Sequence, residues 1–149
     1  MGAFRFGLQR LLSYRNLQEE EAKKELGMRR LAMENEIARL SGLRKEEEEI
    51  IDKWRQQVQQ EIKLPHLQVT QEYSDLLKNR LNQQAEQYKR SKSKVEEQRQ
   101  VAMQCWQKKR MLEVLKGKAK VEHHRQETIM ERNLIDEIVL NSYVRKGGD

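Results

Sequence analysis

Residues 50–81 read IIDKWRQQVQQEIKLPHLQVTQEYSDLLKNRL, and the break in the middle of this stretch decides the fold. Before the break, Ile51, Trp54, Val58 and Ile62 recur at steps of three and four. After it, Tyr73, Leu77 and Leu81 do the same, which is the apolar spacing of one helix face. Between the two runs, Lys63-Leu64-Pro65-His66-Leu67 carries the only proline of the chain. Proline lacks an amide hydrogen and collides with the preceding helical turn, so a turn or kink is predicted here.

The same spacing extends in both directions. Upstream it runs through Phe4, Leu8, Leu11, Ala22, Leu26, Met33, Ile37 and Leu40, a seam of about 60 residues or roughly 90 Å of helix. Downstream it continues through Ala85, Tyr88, Val95, Ala102, Trp106, Leu112 and Ala119 to Met130, Leu134 and Ile138. Arg15, Gln18, Arg29, Arg44 and Glu47 interrupt the first seam; polar side chains at such positions fix register at some cost in stability. Two amphipathic helices joined by a short proline-bearing connection bury their seams most simply on each other. The predicted fold is all-α, a long antiparallel two-helix coiled coil (an α-hairpin). It forms a single coiled-coil domain over 1–149: helix about 4–62, turn or kink about 63–69, helix about 70–144 and a frayed tail over 145–149. The stripe is narrow and no second apolar face is expected, so a four-helix core within one chain is not. Gly27, Gly42 and Gly117 fall inside helical stretches, each at a cost of roughly 1 kcal/mol relative to alanine.

Composition agrees. Charged and hydrophobic residues each make up 36% of the 149, aromatics only 5%, which excludes a thick-cored globule. Residues 1–64 hold 13 basic and 12 acidic side chains, net +1, whereas 65–149 hold 17 and 12, net +5. The excess lies in 89–120, where 11 Lys and Arg face only Glu96, Glu97 and Glu113; such a segment suits an acidic protein surface, lipid headgroups or nucleic acid. The favoured reading of the segment is the solvated face of a long helix; against nucleic acid stand a net +6 that is modest for this length and the placing of Tyr88 and Trp106 in the seam and not as stacking platforms. Cys105 is the only cysteine, expected to pack in a reducing compartment, and no apolar run approaches the roughly 18 residues of a membrane span, so a cytosolic chain is predicted.

No enzymatic constellation emerges, and neither a catalytic residue nor a small-molecule substrate is expected. The glycines form no phosphate loop. His123 and Glu127 share a helix face without a third ligand in register, and the acidic run Glu46 to Glu49 lacks the turn and alternating oxygens of a cation loop. No metal or cofactor is expected.

The ends of the chain are more specific. Phe4-Arg5-Phe6-Gly7-Leu8-Gln9-Arg10-Leu11-Leu12-Ser13-Tyr14-Arg15, followed by Glu19-Glu20-Glu21-Ala22-Lys23-Lys24-Glu25-Leu26, resembles the opening of the FliJ family of flagellar export proteins, F-x-F-x-L-x-x-L-L-x-x-R and then an acidic, alanine-containing helix. Later, Trp106-Gln107-Lys108-Lys109-Arg110, the stretch from Leu112 to Lys118, and Asn133-Leu134-Ile135-Asp136-Glu137 are similar to the family's basic K-x-x-L-x-x-L-K-x-K element and closing D-E pair. Gly117 and Cys105-Trp106 depart from that pattern. The resemblance covers essentially the whole chain.

It implies a non-enzymatic component of the bacterial flagellar type III export apparatus, folded like the central stalk of rotary ATPases. Such a stalk inserts in the hexameric export ATPase and promotes its ring and activity. It also links the ATPase to the membrane gate protein FlhA at the cytoplasmic face of the flagellar base, and helps deliver chaperone-bound substrates. By that resemblance Phe4, Arg5, Leu8, Leu11, Asp136, Glu137 and Ile138 are candidate ATPase contacts, together with the basic Lys108, Lys109 and Arg110. Trp54, Tyr73 and Leu77 are candidate gate contacts, and all three also fit the seam. The equivalent stalk of a virulence-type secretion system is the nearest alternative reading, and a basic coiled-coil nucleic-acid-binding protein the alternative of a different class.

Overall fold

The computed structural model describes residues 2–60 and 64–147. Among them are two α-helices, α1 (Gln9–Gln59) and α2 (Leu64–Gly147), which pack against each other as an all-α helical hairpin. Glu, Gln, Lys, Arg, Leu and Met fill both helices and propagate them with little loss of side-chain freedom. Pro65 sits in the first turn of α2, where its missing N–H would have had no intrahelical partner. The proline therefore starts the second helix, and 64–69, expected in the turn, are helical. Lys63 and the seam position of Ile62 lie outside the described residues. At the other end of α2, Arg145 and Lys146 occupy the last turn, where cations complement the helix dipole, so 145–147 continue the helix into the expected tail. Gly148 and Asp149 are outside the described residues.

The first residues differ from expectation as well. Residues 2–8 are not helical; the Gln9 N–H donates to the Phe6 carbonyl at 3.1 Å, closing a turn that leads into α1.

Contacts group the chain into two units, each taking a stretch of both helices: Met1–Glu19 with Gln104–Asp149, and Glu20–Met103. In the second of these, Gln98 Nε2 donates to the Ala22 carbonyl (3.1 Å), Arg29 to the Lys94 carbonyl (2.9 Å) and Tyr73 to Glu46 (3.5 Å), so the two helices run antiparallel there. The Gln84 amide donates to both the carboxylate and the carbonyl of Glu36. In the first, Lys109 meets Glu19, Lys116 meets Gln9 and His123 meets Phe4, again antiparallel.

The core is a heptad seam. On α1 the inward positions Leu12, Glu19, Leu26, Met33, Leu40, Glu47 and Trp54 are spaced by seven, and Arg15, Ala22 and Arg29 begin a second series three residues on. On α2, Thr70, Leu77, Gln84, Ser91, Gln98, Cys105 and Leu112 make the matching series. Among the described residues six apolar side chains are buried, Leu12, Ala22, Leu26, Leu40, Leu77 and Leu112, with Leu77 the most completely enclosed. The buried polar ones, Glu19, Thr70 and Gln98, each have a partner across the seam: Lys109, Gln57 and the Ala22 carbonyl. Among the described residues no buried side-chain nitrogen or oxygen is left without one.

The register corrects several seam assignments. Leu12 enters the core on the heptad counted back from Leu26 through Glu19, while Leu8 and Leu11 remain 44% and 39% exposed: Leu8 continues the Ala22 and Arg15 series but precedes the first residue of α1, and Leu11 lies one position off the seam. Ile37, Ile51, Val58, Tyr73 and Trp106 flank the seam for the same reason and are exposed.

Candidate functional site

The basic segment of α2 is divided by the seam. Lys109 is an inward heptad position, and its Nζ lies 2.8 Å from Glu19 Oε2 and 3.7 Å from Glu113 Oε1. Its hydrogen bond to the Glu19 carboxylate, which opposes the smaller effect of burial, raises the Lys109 pKa above the ordinary lysine value. Lys108 faces solvent, and Arg110 makes only an intrahelical pair with Glu113 at 3.2 Å, of the kind that contributes a few tenths of a kcal/mol. Of the three basic candidates, Lys108 and Arg110 are presented outward and Lys109 joins the helices.

Phe4 is half-buried. Its ring stands 5.5 Å from that of His123 at 52°, and His123 Nε2 lies 3.1 Å from Glu127 Oε1. Arg5 beside it is exposed, as are Leu8 in the turn before α1 and Leu11 in the first turn of that helix. Asp136, Glu137 and Ile138 lie 13 residues and more beyond His123 on α2, which is about 20 Å of helix. The structure therefore does not bring Phe4 and its neighbours beside the Asp136 group.

The reason is that the inward positions of α2 run out after Thr128. From 129 to 147 every residue is exposed, including Met130, Leu134 and Ile138, which were expected in the seam. Nine large apolar side chains, Ile129, Met130, Leu134, Ile135, Ile138, Val139, Leu140, Tyr143 and Val144, stand 39–76% exposed on this segment, far more apolar surface than an isolated solvated helix needs.

The three candidates near the turn separate cleanly. Leu77 is 1% exposed and belongs to the core. Trp54 is a half-buried heptad position. Tyr73 is 39% exposed, with its hydroxyl donating to Glu46 Oε2 at 3.5 Å, and its neighbour Leu76, missed in the sequence, is 47% exposed.

A second surface also escaped the sequence reading. Trp106, Met111, Val114 and Leu115, 43–67% exposed, line with Gln107 and Arg110 an open groove on the outer side of α2. This is a second apolar face where none was expected. Its signal was the surplus in Met111-Leu112-Glu113-Val114-Leu115, of which the seam uses only Leu112. Among the described residues no group of three His, Cys, Asp or Glu is placed to hold a metal ion, and no helix is long and apolar enough to cross a membrane.

No curated protein and no solved structure matches the chain. The model of one family, described as the flagellar FliJ protein, matches residues 4–148. That match takes in the opening F-x-F-x-L motif, both helices of the hairpin and the exposed end of α2; the chain belongs to the FliJ family and is a component of flagellar type III export.

Proposed function

We propose that this chain is a non-enzymatic stalk that inserts in the hexameric flagellar export ATPase, promotes its ring and its turnover, and links it to the export gate FlhA while chaperone-bound substrates are handed over. The observation that carries this reading is the uncovered apolar stretch 129–144 in a chain whose family match spans 4–148. A helix with apolar side chains all round is stable in water only if something encloses it, and the wall of a protein ring does so on every side.

On this reading Ile138, flanked by Asp136 and Glu137, enters the ring. Arg5, Leu8 and Leu11 meet its rim beside Phe4, and Lys108 and Arg110 face acidic groups there. Lys109 supports the contact by holding α2 on α1. The gate is met near the turn, through Tyr73, with Trp54 and Leu77 setting the packing beneath it. Recruitment to the membrane comes through these partners.

Co-purification with the cognate export ATPase and, separately, with the cytoplasmic part of the gate tests the assignment. Leu134→Glu with Ile138→Glu, both more than half exposed and outside the seam, should abolish capture of the ATPase and leave helicity and gate capture unchanged. ATPase capture undiminished by that pair would overturn the assignment of the ring contact.

A further inference from the structure

Beside the start of α1 lies a cavity of about 600 Å³ lined by Phe4, Arg5, Phe6, Gly7, Gln9, Arg10, Lys116 and Lys120. Four of these side chains are cations, and they come from three places: Arg5 from the irregular leader, Arg10 from the first turn of α1, Lys116 and Lys120 from successive turns of α2. No carboxylate lines it. Among the described residues, none of the four cations has an acidic side chain within ion-pair distance, although pairs such as Arg110–Glu113 and Arg125–Glu122 form nearby on α2. Lys116 is instead held in place by a neutral group, its Nζ donating to Gln9 Oε1 at 2.8 Å.

The backbone adds to the same field. The amino end of α1 opens at this cavity, and its first turn holds no acidic residue but does hold Arg10. Cations at that end oppose the helix dipole, so the chain places positive charge where an isolated helix disfavours it. Half-buried Phe4 and Phe6 form one wall and keep water from screening the cations on that side. Apart from the Lys116 hydrogen bond to Gln9, no described group of this unit offsets these charges, and an anion seated among them would.

We propose that this cavity is a binding site for a multiply charged phosphate ligand, either a phosphate-bearing lipid headgroup or a free diphosphate-type anion. A single carboxylate would neutralise one of the four cations, whereas a phosphate or diphosphate offers two or more charges and enough acceptor oxygens for Arg5 and Arg10 to bind as forks while Lys116 and Lys120 act as point charges. The volume exceeds one phosphate group and accommodates a second or the glycerol end of a headgroup. The site shares Phe4 and Arg5 with the proposed ATPase rim contact, but Arg10, Lys116 and Lys120 are not among those contacts; it is argued from the cavity itself and does not depend on the stalk assignment.

The test uses the full chain and two probes: inorganic pyrophosphate by calorimetry, and sedimentation with phosphatidylcholine vesicles with and without cardiolipin, whose headgroup carries two phosphates joined by glycerol. Arg10→Gln with Lys120→Gln removes two cavity cations that have no acidic partner among the described residues, and Arg90→Gln with Lys92→Gln removes the same charge from exposed positions elsewhere on α2. The proposal expects saturable pyrophosphate binding, weakened about tenfold or more by the cavity pair and about twofold or less by the control pair, as loss of charge-assisted bonds at one site requires. Co-sedimentation that needs cardiolipin and the native Arg10 and Lys120, and that pyrophosphate reverses, identifies the headgroup as the source; pyrophosphate binding without co-sedimentation identifies a free anion. Equal weakening by both pairs, or no saturation, overturns the proposal by reducing the effect to net charge. Displacement of pyrophosphate by an acidic peptide at lower concentration than by phosphate overturns it in favour of a protein ligand.

Discussion

Lys109 Nζ on α2 lies 2.8 Å from the carboxylate of Glu19 on α1, a side chain only 2% exposed. A buried carboxylate that loses a cationic partner is costlier than a half-exposed lysine that loses its anion, because the lysine keeps water and Glu113 within reach. Lys109→Met should therefore lower the melting temperature more than Glu19→Gln, as thermal unfolding followed by circular dichroism would register. Equal shifts would mean that losing either partner costs the same, against the argument from the burial of Glu19.

The same pair sets a pH dependence. The hydrogen bond to Glu19 raises the Lys109 pKa above its ordinary 10.5, so the folded chain holds that proton more tightly than the unfolded one. The stability it supplies is complete below about 10.5 and is lost as the pH climbs through the higher folded value. The gap in melting temperature between the wild type and Lys109→Met should be constant across neutral pH and narrow only in that alkaline range.

Leu77 and Tyr73 are four residues apart and lead to opposite expectations. Leu77→Ala empties a core position and should cost about 2–5 kcal/mol. Tyr73→Ala removes a part-exposed ring and one long hydrogen bond, and should cost about 1 kcal/mol or less. In gate-binding assays Tyr73→Ala should then lower affinity without lowering helicity, a result that Leu77→Ala cannot deliver cleanly.

Gln98, 7% exposed, uses its amide on a carbonyl that already serves the backbone of α1. Gln98→Leu leaves no orphaned donor and adds apolar burial, so it should stabilise the hairpin by about 1 kcal/mol in denaturant titrations. Destabilisation would show that the polar contact matters more than the burial it displaces.

Gly42 lies inside α1 with nothing within 4 Å of where a Cβ would stand. Gly42→Ala should raise stability by about 0.5–1 kcal/mol, the difference in helix propensity, measured by the shift in denaturation midpoint.

Pro65 and the three-four spacing on either side of it were enough to read a hairpin, since both act locally and the single proline has no competitor. Register was harder to read. Leu8, Leu11 and Leu12 all offer themselves to a seam, and only the heptad carried through Glu19 selects Leu12, a choice that depends on a lysine 90 residues away accepting the charge. Phe4 was read as helical because F-x-F-x-L continues the apolar rhythm, whereas its ring instead leaves the helix to meet His123. The cation cavity was invisible for a related reason: Arg5 and Arg10 are more than a hundred residues from Lys116 and Lys120, and only folding brings them to one wall. The exposed apolar run 129–144 was visible as apolar, and what the sequence did not reveal is that α1 offers it no partner.

The measurement that bears most directly on the stalk assignment is the ATP turnover of the cognate export ATPase titrated with this chain, alongside the chain carrying Lys108→Glu. Lys108 has neither a core position nor an ion pair in the described structure, so this variant leaves the hairpin intact. The assignment predicts that turnover rises with the wild-type chain and saturates, and that the variant needs a higher concentration to reach the same rate. Unchanged turnover over the whole titration, together with failure of the two proteins to co-purify, would contradict it.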